Sequence, residues 1–230
     1  MGILKASPQR VTDDQLLSVL EAFPIQQNSS RKNVTPEGDS GVQSETFGIV
    51  TFRSKAYEHG RLGLGSGTIQ CSSVVKLINL WIKGHQPPDF QGRFPWTSIT
   101  VNTNFAAKRH RDKGNWGPAL IKTFGKFTGG DLLYWPEDRG TCDVDELESS
   151  AAIRLCPHHA AIVFDGNRAH EVAPYKGSRY SIVAYCHSQY ERVAAAEKSD
   201  LRKLGFAFPT SRTMQAAQQL CSPTSLNPKP

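Results

Sequence analysis

The sequence lacks several features that mark specialised classes of protein. No apolar run approaches the ~20 residues that span a bilayer, so we expect no membrane-spanning helix. Its first ten residues, MGILKASPQR, hold only a short apolar patch; no secretory signal is visible, and we expect an intracellular protein, cytoplasmic or nuclear. The five cysteines are widely spaced and form no CxxC pair or zinc ribbon, which favours free thiols in a reducing compartment.

The composition that is present is that of a soluble globular domain. With 230 residues, 38% apolar and 21% charged, the chain can bury one substantial core but not two large ones. A net charge of +6 permits binding to an anionic partner such as nucleic acid. Many basic enzymes bind small molecules or proteins instead, so charge alone does not identify the partner.

Two segments of the N-terminal half have the spacing of amphipathic helices. The first covers residues 12–23, with Thr12 or Asp13 as its cap. The second covers residues 72–84, with Ser72 or Ser73 as its cap and an apolar face formed by Val74, Leu77, Ile78 and Trp81. Between them, residues 26–46 carry few large apolar side chains and predict a mobile loop, and residues 47–52 predict a strand.

From about residue 96 the pattern changes to short β-rich runs separated by Gly, Pro, Asp and Asn, as is typical of an antiparallel sandwich or barrel. After His187 it becomes helical again. We therefore predict an α+β fold with flanking N- and C-terminal helices. Its predicted parts are a helical and extended support region (1–95), a β-rich core (96–190), C-terminal helices (191–221) and a disordered tail (222–230).

The β-rich half contains a candidate metal site. In HRD, His110 and Asp112 are alternate residues, which point to the same side of an extended segment. His170, from a later strand, could add a third ligand. Two imidazoles and one carboxylate form the facial triad that holds non-haem Fe(II) and leaves three positions open. Each piece alone is common by chance; the combination favours a metal site.

A candidate anion site follows nine residues after His170. Arg179 and Ser181, in the segment RYS, face the same side of a predicted strand. A guanidinium offers a planar fork to a carboxylate, and a hydroxyl adds one more donor. The pair is therefore a candidate carboxylate clamp close to the metal.

These pieces resemble the Fe(II)/2-oxoglutarate dioxygenases, which have a double-stranded β-helix (jelly-roll) fold. The resemblance spans about residues 96 to 190 and is carried by HRD, GKFTGGDLLYW (125–135), FDGNRAH (164–170) and PYKGSRYS (174–181). It implies that His110, Asp112 and His170 bind Fe²⁺ and are catalytic, and that Arg179 and Ser181 hold 2-oxoglutarate. It also implies O₂ as a substrate, with ascorbate as a candidate reductant.

Further residues near these motifs have open roles. For Asn102 and Asn104, on the strand leading to HRD, one interpretation is that one of them donates to 2-oxoglutarate or to substrate, and the other is that they satisfy buried backbone groups or a turn. Asn115 could order the loop beside Asp112. Four basic residues around the ligands would form either a phosphate-binding rim or a solvated loop: Lys108, Arg109, Arg111 and Lys113.

The substrate stays open between several hypotheses. Within the family, the residues and spacing of these motifs most resemble the TET/JBP-like branch. This resemblance implies oxidation of a methylated nucleobase in DNA or RNA. Hydroxylation of a protein, of the prolyl type, or of a small molecule would use the same iron site. A non-catalytic binding module on this scaffold is the third hypothesis, which the presence of every expected ligand disfavours.

Overall fold

The computed structural model describes residues 10–54, 57–90 and 94–219. The tail predicted at 222–230 and Cys221 lie outside these ranges. Within them, Cys71, Cys142, Cys156 and Cys186 are free thiols, as predicted. None of the helices in these ranges has the length and apolarity needed to cross a membrane.

The first predicted helix is confirmed as α1 (Asp13–Ala22). Its first turn is closed by a reciprocal pair of hydrogen bonds between Thr12 and Gln15. The Gln15 backbone N–H donates to the Thr12 hydroxyl at 3.2 Å, and the Thr12 N–H donates to the Gln15 side-chain oxygen at 3.0 Å. This capping box satisfies two helix-end donors, which is why the helix begins here.

The second predicted helix is confirmed as α3 (Ser72–Gly84), which follows the four-residue α2 (Gly67–Gln70). Two details were wrong. The cap position is Cys71, without a side-chain cap, rather than Ser72 or Ser73. The buried face is rotated toward Val75, Ile78, Asn79, Trp81 and Ile82. The apolar pattern missed this because polar Asn79 is buried, donating to the Val75 and Leu204 carbonyls and accepting from the Trp96 indole.

Twelve strands are described, and all the named pairings are antiparallel. They are β1 (Gln27–Asn28), β2 (Val42–Ser54), β3 (Tyr57–Leu64), β4 (Ser98–Thr103), β5 (Asn115–Phe124), β6 (Phe127–Gly129), β7 (Leu132–Tyr134), β8 (Ile153–Leu155), β9 (Ile162–Phe164), β10 (His170–Val172), β11 (Tyr175–Gly177) and β12 (Tyr180–His187). Helices and antiparallel sheets together make this the predicted α+β fold.

The strands form one large sheet and two small ones. The large sheet has the order β1-β2-β4-β12-β5-β9, with β3 also paired to β2. The small sheets are β10-β7-β8 and β11-β6. A small apolar cluster on β5, β7 and β9 joins the large sheet to the first small one: Ala119, Ile121, Leu132, Tyr134 and Phe164.

The segment predicted as a mobile loop at 26–46 is shorter than expected. β2 begins at Val42 and pairs with β4 in register from Gln43↔Thr103 to Gly48↔Ser98. Val34 and Val42 are both buried, so the few apolar residues of this stretch anchor it. The large sheet therefore crosses the predicted boundary at residue 95.

The main core lies on the face of the large sheet that α1 and α3 cover. The C-terminal helices α4 (Ala195–Leu204) and α5 (Ser211–Gln219) pack against the same core through Leu201, Leu204, Met214 and Ala217. Four 3₁₀ turns connect other elements: Pro88–Phe90, Val144–Glu146, Ser149–Ala151 and Tyr190–Arg192. The helices do not cover the opposite side of the large sheet. The small sheets lie on that side, and so does the candidate site.

Candidate functional site

The structure brings His110, Asp112 and His170 together at one point. His110 and His170 form an isolated antiparallel bridge, in which each backbone N–H donates to the carbonyl of the other residue at 3.0 Å. One ligand atom from each of the three residues lies within 4.8 Å of the other two. The histidines are 8% and 5% exposed, so only the carboxylate side of the cluster is open.

Both imidazole rings are held with the same nitrogen toward Asp112. The Nδ1 of His110 contacts the Lys108 carbonyl at 2.8 Å, and the Nδ1 of His170 contacts the Arg168 carbonyl at 2.8 Å. Since a carbonyl only accepts, each Nδ1 carries a proton, and in the neutral ring the lone pair is then on Nε2. Metal-binding histidines are oriented by such outer contacts in this way.

Electrostatics keep His110 ready to bind a cation. Burial, together with the neighbouring His170, lowers the pKa of His110 to about 4, against the opposing influence of Asp112. Its Nε2 lies 3.6 Å from Asp112 Oδ1, and the Nε2 of His170 lies 3.8 Å from Asp112 Oδ2. Because His110 is neutral, its contact with Asp112 is not an ion pair. Both groups instead offer a lone pair that can bind a metal ion.

Asp112 is held in place by two neighbours. Its backbone N–H donates to the Gly166 carbonyl at 2.7 Å, and the Asn115 side chain approaches Asp112 Oδ2 at 3.3 Å. A β-carbon on Gly166 would lie 3.2 Å from that same oxygen, so the absence of a side chain leaves room for the carboxylate. The Asn115 contact with the carboxylate agrees with the ordering role predicted for it. Two imidazoles and one carboxylate fit a non-haem Fe(II) ion.

Arg179 lies in the same cavity and is buried, 3% exposed. Within the described residues, its Nε and Nη2 atoms have no hydrogen-bond partner. Burial lowers the pKa of Arg179 to about 10, although Tyr175 and Asp131 act in the opposite direction. A buried guanidinium without acceptors is costly, and a carboxylate would satisfy it. The cavity therefore fits a ligand that carries a carboxylate at some distance from the metal-binding end.

The path of the chain at Gly129 and Gly130 makes room for this arginine. Gly130 has φ +72°, and a β-carbon there would lie 3.0 Å from Arg179 Nε. The guanidinium also lies over the rings of Phe127 and Tyr175, at 5.7 and 5.8 Å. The second glycine of the Gly-Gly in the sequence motif thus has a direct steric reason.

Asn102 and Ser181 line the cavity beside Arg179. The Asn102 amide donates to the Ser181 hydroxyl at 3.2 Å and accepts from Ser44 at 2.9 Å and from Arg31 Nη1 at 3.0 Å. Sequence reasoning missed Arg31, which lies in the stretch predicted as a loop. One sequence feature could have pointed to Arg31. It lies three residues before Val34, an isolated apolar residue in a polar stretch.

Asn104 does not line the cavity and has a backbone role. It is the non-glycine residue with positive φ (53°) among the described residues. Its side-chain oxygen accepts from the Arg179 N–H at 3.0 Å, and its own N–H donates to the Arg179 carbonyl at 2.9 Å. Asn104 therefore fixes the backbone of Arg179, which corresponds to the turn role considered for it rather than to ligand contact.

Two of the four residues of the predicted basic rim are paired with carboxylates. Arg109 Nε pairs with Glu171 at 3.1 Å, and its guanidinium stacks on Trp135 at 4.1 Å. Arg111 pairs with Asp138 through two contacts of 2.7 Å. Alternation explains why neither side chain joins the metal ligands, because the residues that flank His110 point away from the metal side. Lys108 and Lys113 are exposed.

A wider groove continues from the cavity toward solvent. The two share Arg31, Asp112, Asn115 and Tyr185. The rest of the groove follows β2 and the two loops at 28–33 and 111–115, and its wall includes Lys32, Lys113, Phe52 and His187. Phe52 is 44% exposed. The open side of Asp112 therefore leads into a groove whose wall carries several cations.

Comparison with known proteins gives distant structural similarity. No protein-family model and no curated protein matches the sequence. Among solved structures, the chain is similar to NgTET1 in complex with 5mC DNA, with 13% identity and a TM-score of 0.45 over 84% of this chain and 77% of that one. It is also similar to an oxidoreductase of the 2OG-Fe(II) oxygenase family from Burkholderia pseudomallei (14% identity, TM-score 0.40, 74% and 77% covered).

A third similar structure is a Pseudomonas putida prolyl-4-hydroxylase, with 13% identity and a TM-score of 0.35 over 75% of this chain and 82% of that one. The Burkholderia protein carries the name of the family that the sequence motifs resemble. Because all three TM-scores are below 0.5, the functional assignment depends on the residues of the site.

Proposed function

We propose that this protein is an Fe(II)- and 2-oxoglutarate-dependent oxygenase that hydroxylates a C–H bond. The observation that carries the proposal is the presence, in one cavity, of an open His-Asp-His cluster and a buried guanidinium without hydrogen-bond acceptors at two of its nitrogens. A metal ion would satisfy the His-Asp-His cluster, and a carboxylate would satisfy the guanidinium. One 2-oxoglutarate molecule can bind the metal ion and the guanidinium at the same time.

The residues divide the work between them. His110, Asp112 and His170 would hold Fe(II), with both Nε2 atoms turned toward Asp112. Arg179 and Ser181 would bind the distal carboxylate of 2-oxoglutarate, and Asn102 would orient the Ser181 hydroxyl. When bound, iron and 2-oxoglutarate supply the activation of O₂, with release of succinate and carbon dioxide.

The apolar part of the cavity wall completes this arrangement. It is lined by Ile121, Phe164 and Val183 of the large sheet and by Leu132 of one small sheet. Such a wall excludes water from the reacting centre. This arrangement of two facing sets of strands around a cavity supports the double-stranded β-helix as the description of the β-rich part.

For the substrate, we propose a nucleobase in DNA or RNA, methylated as the sequence resemblance implies. Arg31, Lys32 and Lys113 line the groove that opens on Asp112, and cations along a groove attract a phosphate backbone. The exposed ring of Phe52 offers a surface on which a base could stack. A protein or small-molecule substrate would use the same iron site, and the groove cations favour the polyanion over these.

The test of the catalytic proposal is anaerobic reconstitution with Fe(II), followed by oxygen, 2-oxoglutarate and panels of methylated oligonucleotides or peptides. Succinate and product mass are measured. Wild type is expected to form succinate, and His110→Ala and Asp112→Ala are expected to lose it. His159→Ala, in an exposed turn, is the matched control and should keep it. Unchanged succinate formation by the two ligand variants contradicts the proposal.

The substrate panel separates the two substrate classes. Product on an oligonucleotide, together with succinate in proportion to it, supports the nucleobase. Product on a peptide alone contradicts the nucleobase while leaving the oxygenase assignment intact. Ascorbate is included and omitted in parallel, since its role as a reductant is part of the same proposal.

A further inference from the structure

The two segments that carry the histidine ligands are held together by side-chain contacts on the face opposite the metal site. His110 and His170 are directly paired, so in this antiparallel bridge Arg111 lies beside Ala169 and Arg109 lies beside Glu171. The bridge itself consists of the two mutual hydrogen bonds between His110 and His170. Single backbone bonds flank it, from the Asp112 N–H to the Gly166 carbonyl at 2.7 Å and from the Val172 N–H to the Ala107 carbonyl at 2.9 Å. The spacing between the ligands also depends on side-chain contacts.

Asp138 supplies the strongest of these contacts. Its carboxylate accepts from Arg111 Nε and Nη2, each at 2.7 Å, and from the Ala169 backbone N–H at 2.7 Å. The Gly140 N–H adds a fourth donor at 2.9 Å. The Asp138 side chain is 1% exposed. One carboxylate therefore binds the residue between His110 and Asp112 and the residue just before His170.

A second and more open pair lies on the other side of the bridge. Arg109 Nε donates to Glu171 at 3.1 Å, and Arg109 Nη1 also donates to the Val144 and Leu147 carbonyls at 3.2 and 2.8 Å. The Glu171 side chain is 25% exposed. Its contact with Arg109 is therefore weaker than the enclosed contact between Asp138 and Arg111.

We propose that Asp138 is a positioning residue for the metal site, which sets the separation between the HRD segment and His170. This inference rests on the proposed metal site and assigns a role that the ligand motif does not contain. Asp138 touches neither metal nor substrate; it acts through Arg111 and Ala169. Outer-sphere partners that orient ligands typically contribute 10- to 100-fold to metal affinity, and we expect Asp138 to act in that range.

The test measures metal binding rather than turnover. Ni(II), a redox-stable substitute for Fe(II), is titrated calorimetrically into full-length wild type, Asp138→Asn and Asp200→Asn. The last is the matched control, because Asp200 forms an exposed ion pair with Lys203 at 2.9 Å on α4. We expect a Kd for Asp138→Asn that is about 10- to 100-fold higher, and a Kd for Asp200→Asn equal to that of wild type.

Absorption of the Co(II)-loaded proteins gives a second readout, since the visible bands of Co(II) report the arrangement of its ligands. The bands of Asp138→Asn should shift relative to wild type. If Asp138→Asn merely lowers Tm while its Ni(II) Kd and Co(II) bands match wild type, the positioning role is overturned.

Arg111→Lys provides the same test if Asp138→Asn fails to fold. It keeps the charge and loses the two-point contact, so it should also weaken Ni(II) binding; unchanged affinity overturns the proposal. Failure of wild type itself to bind Ni(II) would overturn the metal site. Normal wild-type binding retained in Asp138→Asn overturns this inference alone.

Discussion

A β-carbon built on Gly130 lies 3.0 Å from the Nε of Arg179, so the arginine occupies space that a side chain at 130 would need. Gly130 also has φ +72°, where residues with a β-carbon are strained. The glycine thus acts on the carboxylate clamp in two ways: it permits the turn and it leaves the guanidinium room. The nearest neighbours of the added carbon belong to Arg179 and Tyr175 and not to a ligand histidine, so an experiment can separate the clamp from the metal site.

Gly130→Ala is therefore expected to raise the KM for 2-oxoglutarate roughly tenfold or more, as a displacement of the clamp by a fraction of an ångström does. The Kd for Ni(II) should not change. The control is Gly38→Ala, because Gly38 has φ +87° with nothing within 4 Å of its added carbon. Both variants should lose about 1 kcal/mol of stability, and equal KM values for the two would contradict the steric role.

Substitution of Arg179 should weaken the binding of 2-oxoglutarate and at the same time increase the stability of the protein. Arg179→Met is expected to weaken 2-oxoglutarate binding at least 100-fold in calorimetric titration, since a charged bidentate contact is lost. In the absence of 2-oxoglutarate the same variant should be more stable by about 1–3 kcal/mol, because an unsatisfied buried group is removed.

Arg179→Lys separates charge from geometry at this position. It keeps a cation but not the planar fork, so its affinity for 2-oxoglutarate should lie between those of wild type and Arg179→Met. Wild-type affinity in Arg179→Met would remove the assignment of this residue to the clamp.

The stability of the metal-free protein should fall on mild acidification. Burial is the largest cause that lowers the pKa of four histidines in the described part of the chain: His85, His110, His158 and His187. A histidine with a lowered folded-state pKa binds its proton more readily in the unfolded chain. This stability is fully present above about pH 6.5 and is lost as the pH falls toward the folded-state values.

A substitution at His187 tests this pH dependence without changing a metal ligand. Its Nδ1 accepts from the Gln189 N–H at 3.1 Å, a bond that protonation would break. Denaturant unfolding between pH 7.5 and 5 should show a smaller loss of stability for His187→Gln than for wild type. His159→Gln, in the exposed turn, is the control and should lose more stability than His187→Gln. A full wild-type loss in His187→Gln would contradict the assignment to His187.

The groove predicts a charge effect on nucleic-acid binding. Lys32→Glu combined with Lys113→Glu should weaken binding of a single-stranded oligonucleotide and reduce its salt dependence, since two cations of the groove are replaced. The matched control carries Lys76→Glu and Lys83→Glu, two exposed positions on α3, so that both variants change the net charge by the same amount. Fluorescence anisotropy at two salt concentrations measures the effect. Equal losses in groove and control variants would point to net charge rather than to the groove.

The local motifs of the sequence predicted the candidate site better than its surroundings. His110, Asp112, His170, Arg179 and Ser181 do meet in one cavity, because alternation in an extended segment fixes which side chains share a side. The same rule, applied to Arg109 and Arg111, would have placed them on the opposite face. Long-range partners such as Asp138 and Arg31 were beyond reach, since their contacts cross 27 and 71 residues of sequence.

The helices show the same limit. Apolar spacing located α3 correctly but rotated its buried face, because Asn79 is buried through bonds to residues as distant as Leu204. For residues 26–46, polarity predicted a loop, although two buried valines and the register with β4 fix much of the stretch. Burial satisfied by tertiary hydrogen bonds is invisible to a hydrophobic pattern.

The pairing of β2 with β4 determines how this protein can be divided. A fragment that starts at residue 96 keeps every proposed ligand but removes β2, which covers one side of β4 from Ser98 to Thr103. Six residues of bare strand edge would then face solvent, and such an edge recruits further copies of the same chain. The minimal soluble unit therefore begins upstream of Val42, and a shorter fragment would aggregate.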